Sequence, residues 1–243
     1  RQNPDAIYYK RNQIIWYLLA FQGGFVNLGA LISVKRFVSH VTGFAGLFTE
    51  EIYQLNYYQA LLFIITPLFF LLGSFTSAFT VELRRKKHEA PIYIYNMFTL
   101  TAFFLLLALL GHFGHLGTFD AWATSGRDFI LIFILAFFCG LQNALITHKS
   151  NTVIRTTHLT GLTTDLGIGI AKISQGIEVD KETRAVWMRV WIIFSFFLGS
   201  LVAHPIFTAY KYLGFIFPAI ISAVVGMRLY VSAKNFNKTT EMI

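Results

Sequence analysis

Long apolar stretches alternate with short polar segments along the chain, and this pattern predicts six membrane-spanning helices. A helix needs roughly 20 predominantly apolar residues to cross the hydrocarbon core of a bilayer. Stretches of this length lie at residues 14–32, 60–81, 91–111, 129–147, 190–210 and 213–232. Residues 178–189 are charged and predict a helical linker at the membrane surface.

Two shorter segments between these spans resemble each other. Residues 24–27 and 140–143 both read Gly-x-x-Asn, and residues 40–43 and 158–161 both read His-x-Thr-Gly. The two occurrences lie 116 residues apart in the first case and 118 in the second. We infer that one unit is used twice. This divides the chain into a first membrane repeat (1–113), a connecting loop (114–128) and a second repeat with a cytoplasmic tail (129–243).

The short segments are predicted not to cross the membrane. The apolar part of the first, residues 37–48, is too short for a full crossing. With six spans and both termini cytoplasmic, four of the 20 Lys and Arg residues fall outside, and the other 16 fall inside. This satisfies the positive-inside rule, whereas eight spans with a cytoplasmic N-terminus place the basic run 84–87 outside.

Three spans in each repeat give the two halves opposite orientations. The predicted fold is therefore an all-α, polytopic membrane helix bundle of two inverted three-span repeats. The short segments are then re-entrant or broken helices. Irregular backbone of this kind is tolerated at membrane depth only where protein or a water-filled cavity surrounds it. Many transporters have this architecture, with the binding site near the midplane where the halves meet.

Composition supports an integral membrane protein. The chain is 55% hydrophobic and only 13% charged, about half the charged content of a soluble domain. The net charge of +8 does not indicate nucleic-acid binding, because topology alone explains basic residues between spans. The single cysteine, Cys139, excludes an internal disulfide and a multi-cysteine metal site. We expect no cofactor and no metal.

The His-x-Thr-Gly segments are the first candidates for a ligand site. Each glycine lets the chain turn into a short helix whose free N–H groups and threonine hydroxyls face a ligand at the positive end of the helix dipole. The alternative is a threonine N-cap beside a close-packing glycine. The residues concerned are His40, Thr42, Gly43, His158, Thr160 and Gly161.

Further polar residues lie next to these segments. Arg155 and His158 are three residues apart and share one face of a helix, where with Lys149 they attract an anion. Thr157, which lies between them, is a further candidate for binding the solute. The alternative for Arg155 is a topological anchor. Polar side chains inside the spans either line a pathway or join helices by hydrogen bonds. These are Asn27, Gln142 and Asn143.

Asp165 is an isolated acid at the predicted depth of the membrane and is the candidate ion-coupling residue. Its alternative role is a structural ion pair with Arg155 or Lys172. His112 and His115, with Asp120, have a spacing compatible with a metal, but they lack a firm third ligand.

Gly140-x-Gln142-Asn143-Ala144, residues 155–161 (Arg-Thr-Thr-x-x-Thr-Gly) and residues 37–43 (Phe-x-Ser-x-x-Thr-Gly) resemble the YoaK family. This family consists of small bacterial membrane proteins with about six helices and no established function. The resemblance implies a bacterial inner-membrane location. The first half departs from the family pattern of Gly-x-x-Asp and Thr-Gly-Asn, since Asn27 and Phe44 occupy those positions.

Three functions follow from these patterns. The first is a secondary transporter or exporter of a small polar or anionic solute, and the second is an ion channel of the same architecture. The third is a membrane enzyme or lipid-handling protein that uses His40, His158 and Asp165, although no catalytic motif supports an enzyme. The expected partners are membrane lipids and the solute, and a homo-oligomer is compatible with the sequence.

Overall fold

The computed structural model describes residues 8–86, 93–149 and 159–240 of the chain. These ranges contain helices and loops and no β-strand. The helices are α1 (Lys10–Val34), α2 (Val41–Tyr53), α3 (Tyr57–Lys86), α4 (Ile94–His112), α5 (Gly126–Lys149), α6 (Leu159–Ser174), α7 (Val179–Tyr210) and α8 (Ile216–Thr240), with a 3-10 helix, Lys211–Phe215, between α7 and α8.

Five continuous helical segments are long and apolar enough to cross a membrane. The last of them, Val179–Val231, has 53 residues and includes both α7 and α8. At 1.5 Å per residue it is about 80 Å long, more than twice the thickness of a hydrocarbon core. The chain breaks at Lys211, whose φ is 50°, so this segment contributes two long helices. The long helices therefore match the six predicted stretches.

Helix α2 and the described part of α6 are shorter than a membrane crossing. They have 13 and 16 residues, which corresponds to about 20 and 24 Å against a core of about 30 Å. They coincide with the two His-x-Thr-Gly segments. The two short helices pack against long helices of the bundle, α2 on α3 and α6 on α7.

The predicted surface linker forms the first three turns of α7. No Gly or Pro interrupts this part of the sequence, and Asp180 and Glu182 in the first turn stabilise the positive end of the helix. Pro67 and Pro205 lie inside α3 and α7. Such prolines are tolerated in membrane helices because neighbouring groups satisfy the freed carbonyls.

Helices α1 and α5 form the centre of the bundle. In each of them 67% of the most apolar window is buried, compared with 28% in α3 and 33% in α4. Helix α1 packs on α7, α5 packs on α3, and α4 packs on α8. The short helix α2 packs on α3, and α6 packs on α7. The first helix of each half therefore has its main partner in the other half.

Glycines bring the backbones of these pairs into contact. A Cβ atom on Gly24 of α1 would lie 1.9 Å from the carbonyl oxygen of Phe196 on α7, and one on Gly199 would lie 1.9 Å from that of Phe21. In the other pair, a Cβ on Gly73 would lie 1.9 Å from the oxygen of Phe137. Small residues at helix crossings permit this approach in membranes, where close packing stabilises helix association.

The same contact occurs where α5 crosses α3. A Cβ on Gly140 would lie 2.0 Å from the carbonyl oxygen of Phe70. A serine hydroxyl joins the helices at each crossing: Ser200 donates to the Gly24 carbonyl and Ser74 to the Gly140 carbonyl, both at 3.1 Å. The α1–α7 and α3–α5 crossings are thus made by corresponding residues of the two halves.

Candidate functional site

The chain turns back along α1 before α2 begins. The Ser39 hydroxyl donates to Oδ1 of Asn27 at 2.9 Å, and Asn27 lies seven residues before the last residue of α1, Val34. Seven helical residues span about 10 Å. Residues 35–40 therefore descend by about two helical turns, and α2 starts beside the interior of the bundle.

Helix α2 then returns to the level at which α3 begins. The Phe44 ring, one turn into α2, packs against Phe63, at a ring separation of 6.3 Å. Phe63 lies almost two turns inside the start of α3 at Tyr57. At the opposite end of α2, the Asn56 amide donates to the Glu51 carboxylate at 2.9 Å. The N-terminus of α2 is consequently its inner end.

The predicted ligand-binding residues of the first half lie at that inner end. His40 is the N-cap residue of α2 and is exposed, with its ring 5.2 Å from that of Phe37. Thr42 and Gly43 are exposed in the first turn. Because Thr42 is the second helical residue, it does not have the alternative role of N-cap. A Cβ on Gly43 would meet only His40, at 3.6 Å, so Gly43 does not serve close packing.

The second half is described in part. Arg155, Thr157 and His158 lie outside the described residues. Helix α6 is described from Leu159, the residue that corresponds to Val41 at the start of α2. In it Thr160 is exposed and Gly161 is partly exposed.

Asp165 is exposed two turns into α6. Lys172, one of its two expected ion-pair partners, contacts Glu182 instead, with 2.9 Å between nitrogen and oxygen. The other expected partner, Arg155, lies outside the described residues. Lys172 is therefore not the ion-pair partner of Asp165, and the ion-coupling role of Asp165 stays a prediction.

The polar residues of α1 and α5 are close to backbone and loop groups. The Gln142 side chain is buried and donates to the Leu19 carbonyl at 2.9 Å, joining the two central helices. Asn143, the next residue, is partly exposed. Leu19 lies eight residues before Asn27, about 12 Å along α1. Asn27 and Asn143 therefore occupy different levels of the bundle.

A half-buried arginine in the loop between α1 and α2 contacts two aromatic rings, which the sequence did not predict. The Arg36 guanidinium stacks between Trp122 and Phe63, 4.7 and 5.5 Å from the ring centroids. Burial lowers the pKa of Arg36, and the negative charge of the buried Glu51 opposes this shift. Cation–π contacts of this kind stabilise a partly desolvated arginine.

An ionic group attaches α6 to α7. Glu182 is buried on α7, with Lys172 of α6 at 2.9 Å and Arg189 at 3.8 Å. Gly169 lets α6 approach, since a Cβ there would lie 2.8 Å from Val186 and 3.0 Å from Arg189. The sequence pattern does not predict this group, because Lys172 and Glu182 lie on different helices.

The described residues contain no group of three His, Cys, Asp or Glu side chains able to hold a metal. Asp120, considered with His112 and His115, forms an ion pair with Lys35. The backbone of Asp120 also caps α1, because its N–H donates to the Ser33 carbonyl at 2.9 Å. Asp120 therefore has a structural role at the end of α1.

Long apolar helices, with two shorter helices packed on α3 and α7, define a multi-pass helical membrane protein. A family model described as "Protein of unknown function (DUF1275)" matches residues 15–227. The chain therefore belongs to this family, which is consistent with the resemblance to the YoaK group. Comparisons with curated proteins and with solved structures gave no match.

Proposed function

We propose that the protein is a secondary transporter or exporter of a small polar or anionic solute, and not an enzyme. The observation that carries this proposal is the inner end of α2: a helix N-terminus beside the bundle interior, exposed at His40, Thr42 and Gly43. The helix start has no side-chain cap, and although the Gly43 N–H donates to the His40 carbonyl at 3.0 Å, the positive end of the helix dipole favours an anion or a carbonyl oxygen. The bacterial inner membrane is the proposed location, with both termini cytoplasmic.

We further propose that the halves are inverted three-span repeats. The corresponding crossings of α1 with α7 and α3 with α5 support this arrangement, because each is made by a glycine pair and one serine hydroxyl. In this arrangement Arg155, Thr157, His158, Thr160 and Gly161 form the second binding segment. Rocking of one half against the other then exposes the two segments alternately.

A carrier fits the packing better than a channel does. The levels of Asn27 and Asn143 are separated by about 12 Å of α1. Gln142 bonds directly to the α1 backbone at the level of Asn143, and the Phe25 and Phe138 side chains are fully buried. A continuous pore requires an open path between the levels of Asn27 and Asn143. Alternating access instead requires a barrier there that closes the path between the two sides of the membrane. Asn27, Gln142 and Asn143 then border this barrier.

Asp165 is the proposed coupling residue, since an exposed acid on a short helix inside a membrane protein is costly without a function. Protonation of its carboxylate provides a means of linking solute movement to a proton gradient. In proteoliposomes, Asp165→Asn must then remove the dependence of flux on the pH gradient. Unchanged pH dependence excludes Asp165 from the mechanism.

The binding role of α2 predicts that Thr42→Val reduces solute-induced currents at least tenfold. The substitution keeps the shape of the side chain and removes its hydroxyl from the first turn of α2. Solid-supported membrane electrophysiology on proteoliposomes, with concentration jumps of small carboxylates, phosphate and neutral polyols, is the measurement. Saturable currents indicate a carrier, and a sustained unitary conductance indicates the channel alternative.

Thr49→Val is the matched control, because Thr49 is also exposed on α2 but its hydroxyl donates to the Ala45 carbonyl at 3.0 Å. It lies about two turns from the N-terminus and should keep the wild-type current. Equal currents in both variants would remove the first turn of α2 from the site. No current with any solute would contradict the transport proposal itself.

Inverted repeats predict opposite accessibility of the outer ends of α2 and α6. Gln54 and Gln175 directly follow these helices and are both exposed. In a background with Cys139→Ser, Gln54→Cys should react with an impermeant maleimide from outside the cell. Gln175→Cys should react only after permeabilisation. Labelling of both positions from one side would show that the repeats have the same orientation.

A further inference from the structure

An open groove separates the start of α1 from the charged first turns of α7. It has a volume of about 390 Å³, within the range of small-molecule sites. Its lining residues are Tyr8, Gln13 and Tyr17 from the N-terminal part of the chain and Thr183, Arg184, Trp187, Met188 and Trp191 from α7.

The groove changes from polar to apolar along α7. Thr183 and Arg184 lie at one end, and Trp187 and Trp191 follow at helical spacing on the same face. The Arg184 guanidinium lies over the Tyr8 ring, 5.7 Å from its centroid. Beyond Arg189 no Asp, Glu, Lys or Arg occurs in the rest of α7. The groove therefore crosses the boundary between the charged and apolar parts of the protein.

The apolar wall remains accessible. Trp187 and Trp191 are 59% and 49% exposed, although both are large aromatic side chains. Tryptophan is enriched at membrane interfaces, where one part of the ring contacts hydrocarbon and the N–H remains hydrated. An occupant that fits this groove carries a hydrocarbon chain next to a polar head.

The charges beside the groove favour an anionic head. Arg184 lines the groove, and Lys10 lies exposed at the start of the neighbouring α1. Of the nearby acids, Glu178 pairs with Lys181 at 2.8 Å and Glu182 faces α6. Among the described residues, Asp180 is exposed on the same face of α7, one turn before Arg184, and offsets part of the positive charge of Arg184 and Lys10.

We propose that this groove binds an anionic phospholipid. The phosphate lies on Arg184, with Thr183 and Gln13 as hydrogen-bond donors, and the first part of an acyl chain lies along Trp187 and Trp191. Basic pockets between helices on the cytoplasmic side are suited to such headgroups. This site is independent of the proposed transport pathway.

Native mass spectrometry of the detergent-purified protein with equimolar phosphatidylglycerol and phosphatidylcholine tests the proposal. The wild type should retain phosphatidylglycerol about tenfold more than phosphatidylcholine. Arg184→Gln should lower phosphatidylglycerol retention to the phosphatidylcholine level. Arg228→Gln, which removes an exposed arginine on α8 outside the groove, should retain the wild-type preference.

Trp187→Ser provides a second test, because it should reduce retention of both lipids while Arg184 is still present. Unchanged melting temperatures without lipid show that both variants are folded. Equal retention of the two lipids by the wild type would overturn the proposal, as would wild-type preference in Arg184→Gln. Full displacement of the lipid by soluble glycerol phosphate would also overturn it, because the acyl chain would then contribute no binding.

Discussion

Gly24→Ala should weaken the association of α1 with α7. The added Cβ would lie 1.9 Å from the Phe196 carbonyl oxygen, a separation that requires the two backbones to move apart. The movement also lengthens the 3.1 Å hydrogen bond from Ser200 to the Gly24 carbonyl. Overpacking of a rigid contact costs about 3 kcal/mol, equivalent to a fall in melting temperature of about 10 °C for a chain of this size. Fluorescence-detected size exclusion after heating measures the effect.

Gly46→Ala is the matched control for this substitution. Gly46 is also helical, but a Cβ there would meet no atom within 4 Å. Alanine is the better helix former by about 1 kcal/mol, so the melting temperature should stay the same or rise. A stable Gly24→Ala protein would mean that the α1–α7 contact is looser than the structure shows. A destabilised Gly46→Ala protein would mean that α2 has a further partner.

Glu182→Gln should destabilise the attachment of α6 to α7 by about 2 kcal/mol. The substitution keeps the shape of the side chain and leaves the positive charges of Lys172 and Arg189 without their carboxylate. Removing one member of a buried ion pair is costly because the other stays desolvated, and the partial exposure of Lys172 moderates this cost. The melting temperature in detergent, and protease cleavage between α6 and α7, are the measurements.

A second substitution identifies the cause. Arg189→Leu added to Glu182→Gln should recover part of the lost stability, since it removes the buried cation as well. Glu178→Gln is the control, because Glu178 forms an exposed pair with Lys181 and such pairs contribute little. If Glu178→Gln is as destabilising as Glu182→Gln, burial of the carboxylate is not what determines the effect.

The long helices could be predicted because bilayer thickness fixes their length. The two short helices could be located for the same reason, since neither segment has enough apolar residues to cross. Their starting register was visible in the repeated His-x-Thr-Gly. Each of these predictions depends on residues close together in the chain.

The helix partners and the buried ion pairs could not be predicted in this way. Glycines such as Gly24 and Gly140 permit close helix contact, but the sequence does not specify whether a helix of the same half or of the other half lies opposite. The buried acid Glu51 lies on the short helix α2, whereas the buried acid Glu182 lies on the long helix α7. The Arg36 guanidinium stacks on the ring of Trp122, a residue that is distant in sequence. Such contacts depend on three-dimensional complementarity rather than on local pattern.

The pairing of α1 with α7 also determines when the protein can assemble. The hydrogen bond between these helices joins residues separated by 176 positions. At a synthesis rate of 5–20 residues per second, the ribosome needs about 10–35 s to supply the partner of Gly24. Throughout this interval the surface of α1 around Gly24 contacts lipid tails or the insertion machinery instead of α7. The order of synthesis thus delays completion of the central bundle until nearly the whole chain has emerged.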